Sequence, residues 1–146
     1  MAVSITSNIG SSPSLRSFVP NNGISFRPVN QYEGTEIKRL YHADNLDVLN
    51  YLVDDSKVCG KVDLIYIDPP YNTGGAFETR DFIHAYDDKY STDEYLRFMQ
   101  VRLKLLHTIL SEEGSIYVHL DSNMVFHVKI LMDEIFGEKN FRGMIT

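Results

Sequence analysis

The run Val62-Asp63-Leu64-Ile65-Tyr66-Ile67, followed at once by Asp68-Pro69-Pro70-Tyr71-Asn72, constrains this chain more than any other stretch. A segment that is apolar or β-branched almost throughout predicts a strand covered on both faces, as in a parallel α/β sheet. The two prolines then end the ladder, because each lacks a backbone N–H and fixes φ. The first also biases Asp68 away from helical geometry. The product is a stiff bend at a strand's carboxyl end, where open α/β sheets place their ligands. A carboxylate from Asp68, rigid carbonyls and the flat face of Tyr71 on one short loop can seize a planar amine. As a bare tetrapeptide, Asp-Pro-Pro-Tyr reads equally well as a turn. The strand before it and Asn72-Thr73-Gly74-Gly75 after it favour a site.

The flanking sequence supplies the rest of an α/β domain. Residues 1–32 carry no Asp or Glu and read as a polar, disordered tail, with the folded domain expected over 33–146. Ile37–His42 predicts a short strand, and Asp44 or Asn45 can cap a helix over 45–54 whose apolar side carries Leu46, Leu49, Tyr51, Leu52 and Val53. Residues 72–90 form a long polar stretch with Phe77, Arg80, His84, Tyr86 and Lys89. A stretch this long inside a compact domain is either functional or an ordinary solvated loop with surface aromatics. Ser91-Thr92-Asp93-Glu94 is a capping box that opens the longest helix, expected over 92–112. Tyr95, Phe98, Met99, Leu103, Leu106, Ile109 and Leu110 recur on its inner side, Arg97, Arg102 and Lys104 form its wet face, and Gly114 serves as a left-handed cap. A second buried strand follows over 115–120, then a helix over about 123–136 capped by Asp121 or Ser122 and stopped by Gly137. Phe141–Thr146 opens like a further strand.

Several chemistries are excluded or disfavoured. Cys59 is the only cysteine, which rules out an internal disulfide and a thiolate zinc cluster and fits a reducing cytoplasm. His119 and His127 lack a third ligand at suitable spacing and read as hydrogen-bonded structural histidines, not metal ligands. Gly-x-Ser-x-Gly, Walker and Gly-x-Gly-x-x-Gly motifs are absent. No apolar run is long enough to span a membrane. A net charge of −6 argues mildly against a free-standing nucleic-acid binder, since phosphate contacts need Lys and Arg.

Asp68-Pro69-Pro70-Tyr71 resembles the signature of the S-adenosylmethionine-dependent amino methyltransferases that act on DNA. Tyr41-His42-Ala43-Asp44-Asn45-Leu46 upstream and the stretch from Gly114 to Phe141 resemble the group in which that signature comes early, which includes the type III restriction-modification methylases. The likeness covers residues 36–146 and implies a partial Rossmann-like methyltransferase fold, α/β, with a mostly parallel sheet and flanking helices. It further implies S-adenosylmethionine as cofactor, with Asp44, Asn45 and Asp68 on the cofactor side. The catalytic set would be Asp68, Pro69, Pro70 and Tyr71, with Tyr71 and Asn72 meeting a base flipped out of double-stranded DNA. Asp at the first signature position resembles the adenine-modifying members, whereas many cytosine enzymes have Ser there and Asn would suggest protein glutamine methylation.

The family's glycine-rich cofactor turn and its target-recognition region do not appear in this sequence, and about four strands can be read against the seven of the family's sheet. Two readings stay open. One is the amino-terminal portion of a DNA adenine methyltransferase, whole only as part of a longer gene product or with a partner, a carboxyl-terminal chain or a restriction subunit. The other is an inactive remnant or non-catalytic nucleic-acid-interaction module.

Overall fold

In the computed structural model, which describes residues 4–6, 38–72, 76–78, 84–87 and 90–146, the chain divides into two units. The first comprises Met1–Ile67 with Thr108–Tyr117, the second Asp68–His107 with Val118–Thr146.

In the first unit, strand β1 (Ser4–Thr6) pairs antiparallel with β2 (Lys38–Leu40), Ser4 opposite Leu40. Three residues of the expected polar tail therefore form a strand; the rest of residues 1–32 lies outside the described residues. Helix α1 (Asn45–Asp54) has the expected bounds. Of the two candidate caps, Asp44 does the capping: its Oδ1 accepts the Leu46 N–H at 2.8 Å, satisfying a donor that the helix itself cannot. Val48, Leu49 and Leu52 are buried on its inner side.

Strand β3 (Val62–Ile67) also has its expected bounds, and pairs in parallel with β6 (Leu110–Val118). This small parallel pair, with α1 in the same unit, is the beginning of an α/β fold. The expectation that β3 is covered on both faces is corrected. Val62, Ile65 and Ile67 are buried, but Leu64 and Tyr66 are 60% and 61% exposed. Covering the second face takes another layer of structure.

Gly114 is not a helix cap. It lies within β6, outside the left-handed region, where a Cβ would stand 2.7 Å from the Val62 carbonyl oxygen and 2.7 Å from Leu110 Cδ1. Glycine is required there for close approach of two backbones, not for its torsional freedom.

In the second unit, β4 (Ala76–Glu78) and β5 (His84–Asp87) form an antiparallel pair with a register shift between Phe77 and Glu78. The polar stretch 72–90 thus contains a two-stranded ladder. The side chains of Phe77, His84 and Tyr86, together with Arg80 and Lys89 entirely, lie outside the described residues.

Helix α2 (Thr92–Ile109) begins at the expected capping box. Glu94 Oε2 accepts from the Ser91 N–H at 2.9 Å and the Ser91 hydroxyl at 2.8 Å, and the Ser91 hydroxyl oxygen accepts the Glu94 N–H at 3.3 Å. Tyr95, Met99, Leu103, Leu106 and Ile109 are buried at the expected helical spacing. The helix ends earlier than its periodicity suggests, because β6 starts at Leu110. Arg102 is a second correction: it is buried, with its guanidinium 3.6 Å above the Phe98 ring and Nη1 donating to the Phe98 carbonyl. Arginine can do this because its stem is apolar and its planar head stacks on a ring.

Helix α3 (Val125–Phe136) follows a turn in which Asp121 Oδ1 accepts the N–H groups of Asn123 and Met124. Gly137 stops the helix, with φ at 89°. Val128 and Leu131 are buried, whereas Phe126 and Ile130 are exposed. A 3₁₀ turn (Glu138–Asn140) follows, and residues 141–146 are irregular and exposed, so the final strand expected there is absent. A strand needs a ladder partner, and none pairs with these residues among those described.

Candidate active site

The Asp68–Asn72 loop is fixed from below and left open above. Pro69 is buried, Pro70, Tyr71 and Asn72 are partly buried, and the Asp68 side chain is 57% exposed. The hydroxyl of Tyr95, a fully buried residue of α2, donates to the Pro70 carbonyl at 2.7 Å. That bond ties the second proline's carbonyl to the helix core. The loop then reverses through Asn72, the one non-glycine residue with positive φ (55°) among those described. Asparagine tolerates this conformation better than most residues. Its Oδ1 accepts the Tyr90 N–H at 3.0 Å, so the stretch between residues 72 and 90 is closed at its base. The Tyr90 ring stacks on Phe98 at 6.2 Å between centroids, and Phe98 carries the Arg102 guanidinium on its face. The buried arginine that breaks the wet-face pattern therefore supports the base of this loop.

His119 completes the site. It follows β6 directly, and its Nδ1 lies 3.1 Å from the Tyr71 hydroxyl and 3.4 Å from Asp68 Oδ1. The Tyr71 and His119 rings meet edge to face, with centroids 5.5 Å apart and planes at 73°. Sequence reasoning read this histidine as structural and missed its company. The available signal was topological: two parallel strands, ending at Ile67 and Val118, put the residues just after them at the same carboxyl edge. His127 is exposed on α3.

Of the three residues expected on the cofactor side, Asp44 and Asn45 belong to the first unit and Asp68 to the second. Asp44 is exposed, with Oδ1 engaged in capping α1, whereas Asn45 is buried at 6% exposure. An exposed carboxylate at a helix start fits an acceptor for the amino or hydroxyl groups of an adenosine. A buried amide does not present itself to such a ligand. Nearby, the Tyr41 and Tyr51 rings pack at 5.9 Å, and the Tyr51 phenol is pushed up from its ordinary value by burial first, then by Tyr41 and Asp55, against the opposing effect of Arg39. Among the described residues no group of three or more His, Cys, Asp or Glu could hold a metal ion.

The proline-stiffened loop thus holds an exposed carboxylate, a carbonyl bonded to Tyr95 and a tyrosine bonded to His119 within a few residues of one another. The sequence profile of the DNA methylase family matches residues 62–146, which include all of this loop and His119. The chain belongs to that family. It is 46% identical to the type II methyltransferase M.EcaI of Enterobacter cloacae over 104 residues, covering 71% of this chain and 22% of that protein. It is 40% identical to the probable type III restriction-modification enzyme HindVI Mod subunit of Haemophilus influenzae, covering 78% of this chain and 14% of the relative. It is 40% identical to the type II methyltransferase M.KpnI of Klebsiella pneumoniae, covering 73% and 26%. The chain thus spans about a quarter or less of the length of these relatives.

Proposed function

We propose that this chain carries the amine-binding part of a DNA methyltransferase that modifies the exocyclic amino group of adenine. The observation that carries the reading is the Asp68 carboxylate, held exposed on a loop whose following residues are pinned by Tyr95 and Asn72. An exocyclic amine is a poor nucleophile because its lone pair is spread into the ring. Asp68 accepts one amino hydrogen and the Pro69 carbonyl accepts the other, which draws the lone pair out of conjugation. Pro70, its own carbonyl bonded to Tyr95, keeps the second acceptor from drifting. Tyr71 stacks on the base once it has left the duplex, for about 1–3 kcal/mol. Asn72 anchors the loop that flanks that base. Asp68 then holds the proton released by the amine until water takes it. Placement and charge carry the rate, with no need of a strong base.

S-adenosylmethionine, when bound, supplies an electrophilic methyl on a sulfonium. On this chain Asp44, exposed at the start of α1, would accept a hydrogen bond from the adenosine, Asn45 would support that helix start, and Asp68 would serve the transfer itself. The partners are double-stranded DNA and a carboxyl-terminal chain or restriction subunit, in line with the Mod-subunit relative. The cytoplasm is the compartment where such partners meet.

Calorimetry with S-adenosylmethionine, alone and with a carboxyl-terminal methylase segment, tests the cofactor half; no binding in either case overturns the reading in favour of an inactive remnant. Labelled-methyl transfer to duplex DNA, followed by nucleoside analysis, tests the rest. Label in N6-methyladenine is expected, and Asp68→Ala lowers it by about a hundredfold or more while S-adenosylmethionine still binds. Near-normal transfer by that variant removes the assignment of Asp68.

A further inference from the structure

We propose that His119 is a positioning residue of this site, donating its Nδ1 hydrogen to the Tyr71 hydroxyl and holding that N–H edge against the Asp68 carboxylate. The proposal rests on the reading of Asp68 as the amine's acceptor and extends it to a residue outside the signature loop.

The geometry sets the proton's place. Nδ1 faces two oxygens, at 3.4 Å and 3.1 Å. An ionised carboxylate can only accept, whereas a tyrosine hydroxyl can donate or accept. If Nδ1 carries the hydrogen, it bonds the Tyr71 oxygen at 3.1 Å and turns its positive edge toward the carboxylate 3.4 Å away. If Nε2 carries it, the bare Nδ1 lone pair is turned toward the carboxylate and only the Tyr71 bond survives. The first tautomer is the one this arrangement selects. It orients one oxygen of Asp68 while the carboxylate as a whole stays more than half exposed. The same bond fixes the Tyr71 ring, whose edge-to-face contact with the imidazole limits its rotation.

A core-filling role does not account for this histidine, because its side chain is 54% exposed. Nor does a stabilising one, since exposed pairs of this kind contribute little to folding. What the contact does achieve is to join the amine acceptor and the stacking ring, so that they take up a base as one preformed edge.

The first test needs neither DNA nor cofactor. Long-range ¹H–¹⁵N spectra of the chain, at mildly alkaline pH where an ordinary imidazole is neutral, report the tautomer of each histidine. The Nδ1–H form is expected for His119, converting to the Nε2–H form in Asp68→Ala, with the His107 and His127 signals unmoved as evidence of an intact fold. An Nε2–H tautomer in the unmodified chain, or one indifferent to Asp68→Ala, overturns the proposal.

The second test is kinetic, on the chain with whatever segment restores transfer. His119→Ala lowers kcat about tenfold with KM for S-adenosylmethionine unchanged. His119→Asn, which keeps a donor near the Nδ1 position, recovers most of the loss. Equal kcat for His119→Ala and the unmodified protein overturns the proposal. Absence of transfer even without substitution counts against the methyltransferase reading and leaves His119 to be decided by the spectra.

Discussion

Tyr95 shows how much one hydroxyl can control. Its ring is wholly buried, yet its oxygen emerges at the Pro70 carbonyl, 2.7 Å away. Deleting that oxygen leaves a partly buried carbonyl without this donor, at a cost of about 1 kcal/mol. Tyr95→Phe should therefore lower the urea midpoint modestly while keeping the helix. In transfer assays it should lower kcat more than it changes cofactor binding, because the freed carbonyl lets the adjacent acceptor wander. A variant with unaltered stability and unaltered kcat would show that the loop is stiff without this anchor.

At the scale of elements, the start of α2 is pH-sensitive. The Glu94 carboxyl is held below its ordinary value by hydrogen bonds from the Ser91 side chain first and the Ser91 backbone second. A carboxyl whose folded-state pKa is depressed stabilises the fold above its unfolded value and loses that contribution as pH falls through the lowered one. Acid titration followed by circular dichroism should accordingly show part of the helix signal lost below the usual glutamate range, and Glu94→Gln should remove that component. The box was legible because it is a local pattern: Ser and Glu three apart, ahead of an apolar periodicity. Helix α1 and strand β3 were legible to the residue for similar reasons, one marked by Asp44 and the other by its flanking prolines. The far end of α2 was not, because Leu110 continues the helical spacing and the backbone that crowds Gly114, the Val62 carbonyl, is distant in sequence. Arg102 was misread for the same reason, since no local rule foretells that a ring will sit under a guanidinium. In the candidate site, Asp68 and Tyr71 announce themselves through the signature, whereas His119 required knowing which strand runs beside which.

On the scale of the whole molecule, large apolar side chains reach solvent in each of the two units. Leu64 and Tyr66 project from β3, and Phe126 and Ile130 from α3, all about 60% exposed. Such side chains favour association when several lie close together. The isolated chain should bind a hydrophobic dye such as ANS in its folded state, and Leu64→Lys with Tyr66→Lys should reduce that signal and any concentration-dependent scattering. Dye binding unchanged by the double substitution would exonerate this strand.

Finally, Asn72 and Tyr90 clasp each other at the neck of the intervening segment, so that it departs and returns at a single point. A ring already shut at its neck tolerates being enlarged: doubling its length costs only about 0.6 kcal/mol in closure entropy. One such insert could be exchanged for another of different size without dislodging Asp68. Evolution could thus re-tailor what this segment touches while the chemistry next door went on unaltered.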